Sequence, residues 1–256
     1  MPSGSGRFLG TRSLAESHRT LARMLRPGHR VLDVGCGTGA ITRGIAAAVG
    51  PTGSVVGIDI SETLIDQTSA AGVPPTLRYE VSGVLEWRDD PYDVVTAARV
   101  LQWLADPGAA LDAMVRLTRP GGRVVVLDYN HCLASWKPDL PPAGAHFYDA
   151  FLRWRAAVGM DNEIADNLPG LYAACGLTDI EVHDEHEVTE RGDADFANRI
   201  DLWPSVTATR GHQMVRSGVL TEPERAAAER DMHAWAAERA EQQMLVLRAV
   251  VGTRPA

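Results

Sequence analysis

The densest chemistry in the chain lies in one run, Asp33-Val34-Gly35-Cys36-Gly37-Thr38-Gly39. Glycine at every second position lets a backbone turn tightly and approach a ligand with no Cβ in the way. The run joins a short apolar segment, Arg30–Val34, to a helical pattern over Ala40–Val49, so the unpaired N–H groups of a helix start face whatever the glycines admit. Gly35, Gly37 and Ala40 also satisfy the G-x-G-x-x-A pattern of dinucleotide sites. Two carboxylates argue for another ligand. Asp33 closes the first strand, where it would repel a pyrophosphate and suit an amino or sulfonium group. Asp59 closes the next, Val55-Val56-Gly57-Ile58-Asp59. Its two oxygens suit both hydroxyls of a ribose, with Ile60 against a purine face.

A second set is Leu127-Asp128-Tyr129-Asn130-His131, at the end of a later strand. Ligands of parallel sheets bind at that end, and Tyr129 and His131 are side chains able to take a proton. Asn130 is placed to hydrogen-bond a substrate, although Asp128 and Asn130 equally suit loop capping. A third set is Trp154-Arg155 with Gly159-Met160-Asp161-Asn162-Glu163. There Asp161 and Asn162 either touch substrate or N-cap a helix beginning at Ile164. Phe147, Tyr148, Phe151, Trp154, Trp203 and Met214 offer walls for an apolar guest, or serve simply as core. His183 and His186 stand three apart on a strand, which sends them to opposite faces, so no metal site is expected.

Positioning these groups requires an α/β alternation. Strands are predicted over 30–34, 54–58, 76–81, 92–96 and 123–128, and helices over 40–49, 62–70 and 109–117, with a turn of helix near Leu85. That order implies a parallel sheet covered by helices on both faces. The second half predicts a Pro-rich bridge over 137–142, helices over 147–158 and 164–175, and an edge strand over 178–188. Helices around 194–202, 205–216 and 222–240 and a last strand over 243–251 follow. A single domain is expected, with an N-terminal helical lid (1–28), a cofactor half (29–130) and a substrate half (131–256). The helical insertion at 190–240 caps the substrate.

Of 256 residues, 45% are hydrophobic, and the net charge is −8. The acidic balance is a poor footprint for nucleic acid. No apolar run approaches the ~20 residues of a membrane span, and the first residues lack the apolar core of a signal peptide, so a cytoplasmic protein is expected. The three cysteines, Cys36, Cys132 and Cys175, have neither zinc nor disulfide spacing.

VLDVGCGTG, the VVGID strand end, AARVLQWLADP and RPGGRVVVLD together resemble class I S-adenosylmethionine-dependent methyltransferases, in the ubiquinone/menaquinone-type, small-molecule group. The resemblance covers roughly residues 25–130. It implies a Rossmann-like seven-stranded, mostly parallel sheet whose last strand, MLVLRAVVG, is antiparallel. S-adenosylmethionine is then the cofactor. Gly35, Gly37 and Gly39 back its methionine part, Asp33 meets its amino group and Asp59 its ribose. Gly83 and Val84 fall at the adenine; Gly83 stands where the family usually has an aspartate, leaving the Val84 N–H to read the ring. Arg99 and Gln102 fall at the methionine end, and Arg12 at its carboxylate. The implied activity is methyl transfer to a small organic molecule, a secondary metabolite, with a lean towards C-methylation of an electron-rich aromatic such as an indole. Tyr129 or His131 would then remove the ring proton. O- or N-methylation, and a non-methylating cofactor binder, are the alternatives. Thr96-Ala97-Ala98-Arg99 lacks the Asn/Asp-Pro-Pro-aromatic run of enzymes that methylate bases, so no nucleic-acid or membrane partner is expected. The apolar positions of 226–240 suit packing against a twin chain.

Overall fold

The computed structural model describes residues 12–70 and 72–256. Along the chain the elements are α1 (Leu14–Ser17), α2 (Arg19–Met24), β1 (Arg30–Val34), α3 (Ala40–Val49), β2 (Ser54–Asp59), α4 (Glu62–Ala70), β3 (Leu77–Val81) and β4 (Tyr92–Ala98). After a 3₁₀ turn at Leu101–Trp103 come α5 (Pro107–Leu117), β5 (Thr118–Lys137), α6 (Pro142–Ala157), α7 (Ile164–Ala174), β6 (Thr178–Asp184) and β7 (Glu187–Glu190). The chain continues with α8 (Phe196–Ile200), α9 (Leu202–Arg216), α10 (Glu222–Glu238) and β8 (Gln242–Thr253). Two compact units result. One holds the described residues up to Tyr129 with Glu163–Glu185 and Leu247–Ala256; the other holds Asn130–Asn162 and His186–Val246.

In the first unit successive residues of β1 alternate between two cores. Leu32 and Val34 join Val56, Ile58, Val95, Ala97, Met114 and Leu168 on one face. Val31 joins Leu21, Ile45, Val49, Val55, Val94 and Val125 on the other. Burial on both faces is what a parallel sheet demands, and it explains the unbroken Val/Ile runs. The strand order is β3-β2-β1-β4-β5-β8-β6. β1 pairs in parallel with β2 and β4, so that Asp33 lies level with Gly57 on one side and Thr96 on the other. β6 is antiparallel to β8, with Glu181 opposite Val251. The sheet is thus mostly parallel with an antiparallel last strand, as the sequence predicts, but the described residues form eight strands rather than seven, β7 pairing with β8 off the main path.

The second unit gathers α6, α8, α9 and α10. Phe196, Ile200, Trp235, Ala236 and Ala240 form a core, with Trp136 and Leu140 packed on it. α10 starts in a capping box: Glu224 N–H donates to Thr221 Oγ1, and Thr221 N–H to the Glu224 carboxylate at 2.8 Å. β7 pairs antiparallel with the first residues of β8, Glu187 opposite Leu245.

Several expectations are corrected. The fifth strand does not stop at residue 128 but runs to Lys137, the first residue of the expected bridge. The segment 178–188 is two strands, interrupted at Glu185 and His186, because the Glu185 side chain turns to the start of α2. Residues 84–86 form a turn without a helix. Residues 163–185 and 247–256, assigned by sequence to a substrate half, belong to the unit that carries the glycine run. The apolar positions of α10 do not await a twin chain. Ala228, Met232, Trp235 and Ala236 are buried inside their own unit. Among the described residues no helix is long and apolar enough to cross a membrane.

Candidate functional site

In the first unit the glycine run leaves the end of β1 and enters α3 with Gly35, Gly37 and Gly39 all at positive φ, +69°, +54° and +67°. The three serve different ends. A Cβ on Gly35 would lie 2.5 Å from Val100 Cγ2, and one on Gly39 would overlap Tyr79 Oη and lie 2.6 Å from Thr68 Cγ2. Above Gly37 there is nothing within 4 Å. Two glycines therefore let the loop pack, and the middle one leaves an open cradle. Gly57, which the sequence reading passed over, completes the packing: a Cβ there would meet Tyr79 and Cys36 at 2.8–3.0 Å.

Both expected aspartates stand at this loop. Asp33 is buried, and its Oδ2 accepts from Thr42 Oγ1 at 2.6 Å. Burial pushes its carboxyl up to about 7; the Thr42 hydrogen bond opposes the rise and the Asp59 charge adds to it. Asp59 accepts from Gly37 N–H at 3.0 Å and from Ser61 N–H at 2.9 Å, so its position is tied to the cradle itself. Ile60 follows with 81% of its surface exposed. A Cβ on Gly83 would come within 3.7 Å of Ile60 Cγ2 and 2.5 Å of Glu86 Oε2. Ile60 and Gly83 are thereby neighbours, as a shared adenine would require. Val84 is buried in the core beside them.

Arg12, Arg99 and Tyr129 also come together. Tyr129 Oη accepts from Arg99 Nε at 3.1 Å and from Arg12 Nη2 at 3.5 Å. Arg99 has a left-handed backbone, φ +62°, its N–H donates to Leu127 O at 2.7 Å, and its Nη1 holds Ser17 O at 3.2 Å. A non-glycine residue in that region is uncommon and marks sites where geometry matters more than strain. Gln102 is buried; its N–H donates to Asp128 Oδ2 at 3.1 Å and its Nε2 to Arg99 O at 3.2 Å. Asp128 thus anchors the 3₁₀ turn. Two residues missed by sequence reinforce this side. His18 is buried with Nε2 3.3 Å from Thr96 Oγ1, and burial above all drops its imidazole to about 3. Glu185 accepts the first N–H groups of α2, from Arg19 at 2.9 Å and from Thr20.

In the second unit Asn130 is buried, and its Oδ1 accepts from Cys132 N–H at 2.9 Å, a local turn bond. His131 is fixed by its backbone: its N–H donates to Asn162 O at 2.7 Å and its O accepts from Tyr148 Oη at 2.6 Å. Burial, with the Arg155 charge beside it, drops its imidazole to about 3, so at neutral pH it is an uncharged ring and a weak base. Trp203 meets Tyr148 at 4.6 Å, Phe151 at 5.2 Å and His131 at 6.4 Å, all edge to face. Trp154 lies 6.2 Å from Phe151. Trp136, on the unforeseen part of β5, joins at 4.8 Å from Tyr148.

Neither Asp161 nor Asn162 N-caps α7. The N-cap of α7 is Glu163, with no side-chain capping bond. Asn162 instead binds Arg155: Nε donates to Asn162 Oδ1 at 2.8 Å and Nη2 to Asp161 O at 3.2 Å. Arg155 has no exposed surface, and its guanidinium lies over Phe151 at 5.4 Å. The loop therefore seats a buried cation beside the aromatic group.

Residues 32–126 match the family described as methyltransferase domain. A curated relative, the ubiquinone/menaquinone biosynthesis C-methyltransferase UbiE of Burkholderia cenocepacia, is 40% identical over 119 residues, 44% of this chain and 47% of its own length. The chain spans about half the length of the curated relatives it matches. Among solved structures, phosphoethanolamine N-methyltransferase 2 of Haemonchus contortus, bound to phosphomonomethylethanolamine and S-adenosylhomocysteine, superposes with TM-score 0.60 at 15% identity, over 94% of this chain and 53% of that one. The YcgJ protein of Bacillus subtilis gives TM-score 0.60 at 16% identity, over 94% and 99%. At such identities the likeness is one of fold. Residues 32–126 thus resemble the methyltransferase-domain family, and the mostly parallel sheet flanked by helices is the fold shared with these solved structures.

Proposed function

We propose that the protein transfers a methyl group from S-adenosylmethionine to a small organic molecule. The observation that carries this reading is the open cradle at Gly37, held to Asp59, with buried Asp33 beside it and Ile60 bare next to Gly83. These features fit the cofactor. Asp33 in its ionised form suits a cationic amino group, Asp59 the ribose hydroxyls, Ile60 and Val84 the adenine, and Arg12, Arg99 and Gln102 the methionine end. When bound, S-adenosylmethionine supplies a methyl group already activated by its sulfonium.

The chain's part is then chiefly to hold the nucleophile in line. Tyr129 is the proton acceptor in this scheme, because two cationic donors at one phenol oxygen support negative charge there. His131, uncharged and backbone-fixed, orients the acceptor and takes no proton. We assign acceptor binding to Asn130, Trp154, Trp203 and the Asp161-Asn162 loop, with Arg155 set by that loop. The aromatic group around Trp203 favours an electron-rich ring, an indole being the leading example, methylated at carbon. The curated relatives are C-methyltransferases by name, which supports the same choice. A secondary metabolite taken up in the cytoplasm remains the proposed setting.

Calorimetry tests the cofactor assignment and product analysis the acceptor. S-adenosylmethionine should bind saturably, and Asp59→Asn should weaken it at least tenfold. With indoles, phenols and amines as acceptors, carbon methylation of an indole is expected, with kcat lowered at least tenfold in Tyr129→Phe. Absence of binding overturns the whole reading; methylation of phenol oxygen alone overturns the carbon assignment.

A further inference from the structure

We propose that a hollow at the N-terminal ends of β1, β4 and β5 binds a multivalent oxyanion, the phosphate or polycarboxylate end of a small molecule. The hollow measures about 360 Å³ and is lined by Arg23, Arg26, His29, Asp93, Arg119 and Arg123. Its charge runs against that of the chain, which is −8. The single carboxylate is already engaged: Asp93 Oδ1 accepts from Arg119 Nε at 2.6 Å and Oδ2 from Arg30 N–H at 2.7 Å. With Arg119 offset by Asp93, three guanidiniums remain. Among the described residues Arg23 donates to the backbone, Nε to Arg19 O at 3.3 Å, and neither Arg26 nor Arg123 forms an ion pair.

His29 adds a fourth donor. Its Nδ1 accepts from Arg26 N–H at 3.3 Å, which places the ring proton on Nε2. Among the described side chains the lining therefore has more donors than acceptors, a pattern that suits an oxyanion better than a cation. A concave wall of net positive charge concentrates potential more than a flat patch does. The volume equals roughly a dozen waters at ~30 Å³ each, room for more than one phosphate. This site is distinct from the glycine run, because β1 has Arg30 at one end and Val34 at the other, about 13 Å apart at ~3.3 Å per residue.

Pyrophosphate, citrate and a short DNA duplex, titrated by calorimetry at low ionic strength, decide it. We expect one pyrophosphate or citrate to bind per chain, the tighter of the two naming the ligand class, and added salt to weaken it. Arg26→Gln/Arg123→Gln, both exposed positions, should weaken binding at least tenfold with an unchanged unfolding curve, while Arg216→Gln leaves it intact. Binding of duplex alone, binding of neither anion, or equal binding by the double variant would overturn the proposal.

Discussion

Asp33 is held in a place that favours its proton and proposed for a role that needs its charge. Folded, it titrates near 7 in place of the ordinary 3.8, so between those values the folded chain binds a proton that the unfolded chain does not. Stability from this group is therefore lost as pH rises through that window. Asp33→Asn keeps a partner for the Thr42 hydroxyl and removes the charge. It should raise stability at pH 8 by about 2–4 kcal/mol, with no gain at pH 4, as read from denaturant midpoints, and should weaken S-adenosylmethionine. Equal stabilisation at both pH values would show that charge is not the cause. Asp33, Asp59 and the glycines are legible in sequence because their spacing along the chain is their geometry. Glu185 is not, because it acts on Thr20, 165 residues away. Arg155 stands out beside Trp154 in the sequence, but its full burial and its bond to Asn162 emerge only once the fold closes over it.

At the scale of elements, α2 is a helix of six residues, too short to persist without outside support. Its Ncap, His18, supplies no side-chain bond, and Glu185 stands in for one. Glu185→Ala should cost about 1–2 kcal/mol and speed hydrogen exchange over 19–24 well before that of β1 and β4. Uniform acceleration across the sheet would instead assign Glu185 a global role. The parallel core was readable because its strands are apolar on both faces and its helices periodic; the predicted 40–49 and 62–70 are the observed α3 and α4. The far part of β5 was not, because Asn130 to Lys137 mixes polar and apolar side chains and its exposure varies along the strand. The same opacity hid Trp136.

For the molecule as a whole, a buried histidine in each unit contributes to the response to acid. His18 in one unit and His131 in the other both titrate near 3 in place of 6.5. Their contribution is complete above 6.5 and is lost as pH falls towards 3, since the unfolded chain then binds the extra protons. Asp33 works in the opposite sense between 7 and 3.8, and it lies with His18. Hydrogen exchange between pH 6.5 and 4.5 should therefore reveal an earlier loss of protection in α6 and α9 than in β1 and β4. The reverse order would refute the assignment. Fold likeness at this scale says little about chemistry, because one architecture hosts many reactions; the acceptor has to be argued from Tyr129 and the rings around Trp203.

β8 enters the sheet between β5 and β6, although it is made after both. On a ribosome, the two neighbours must wait with open edges until residues 247–253 have cleared the exit tunnel. The nascent chain therefore exposes the pairing-competent edge of β5 while everything after residue 137 is made, and a stop codon a few residues before β8 would leave a gap between β5 and β6 rather than a shortened tail.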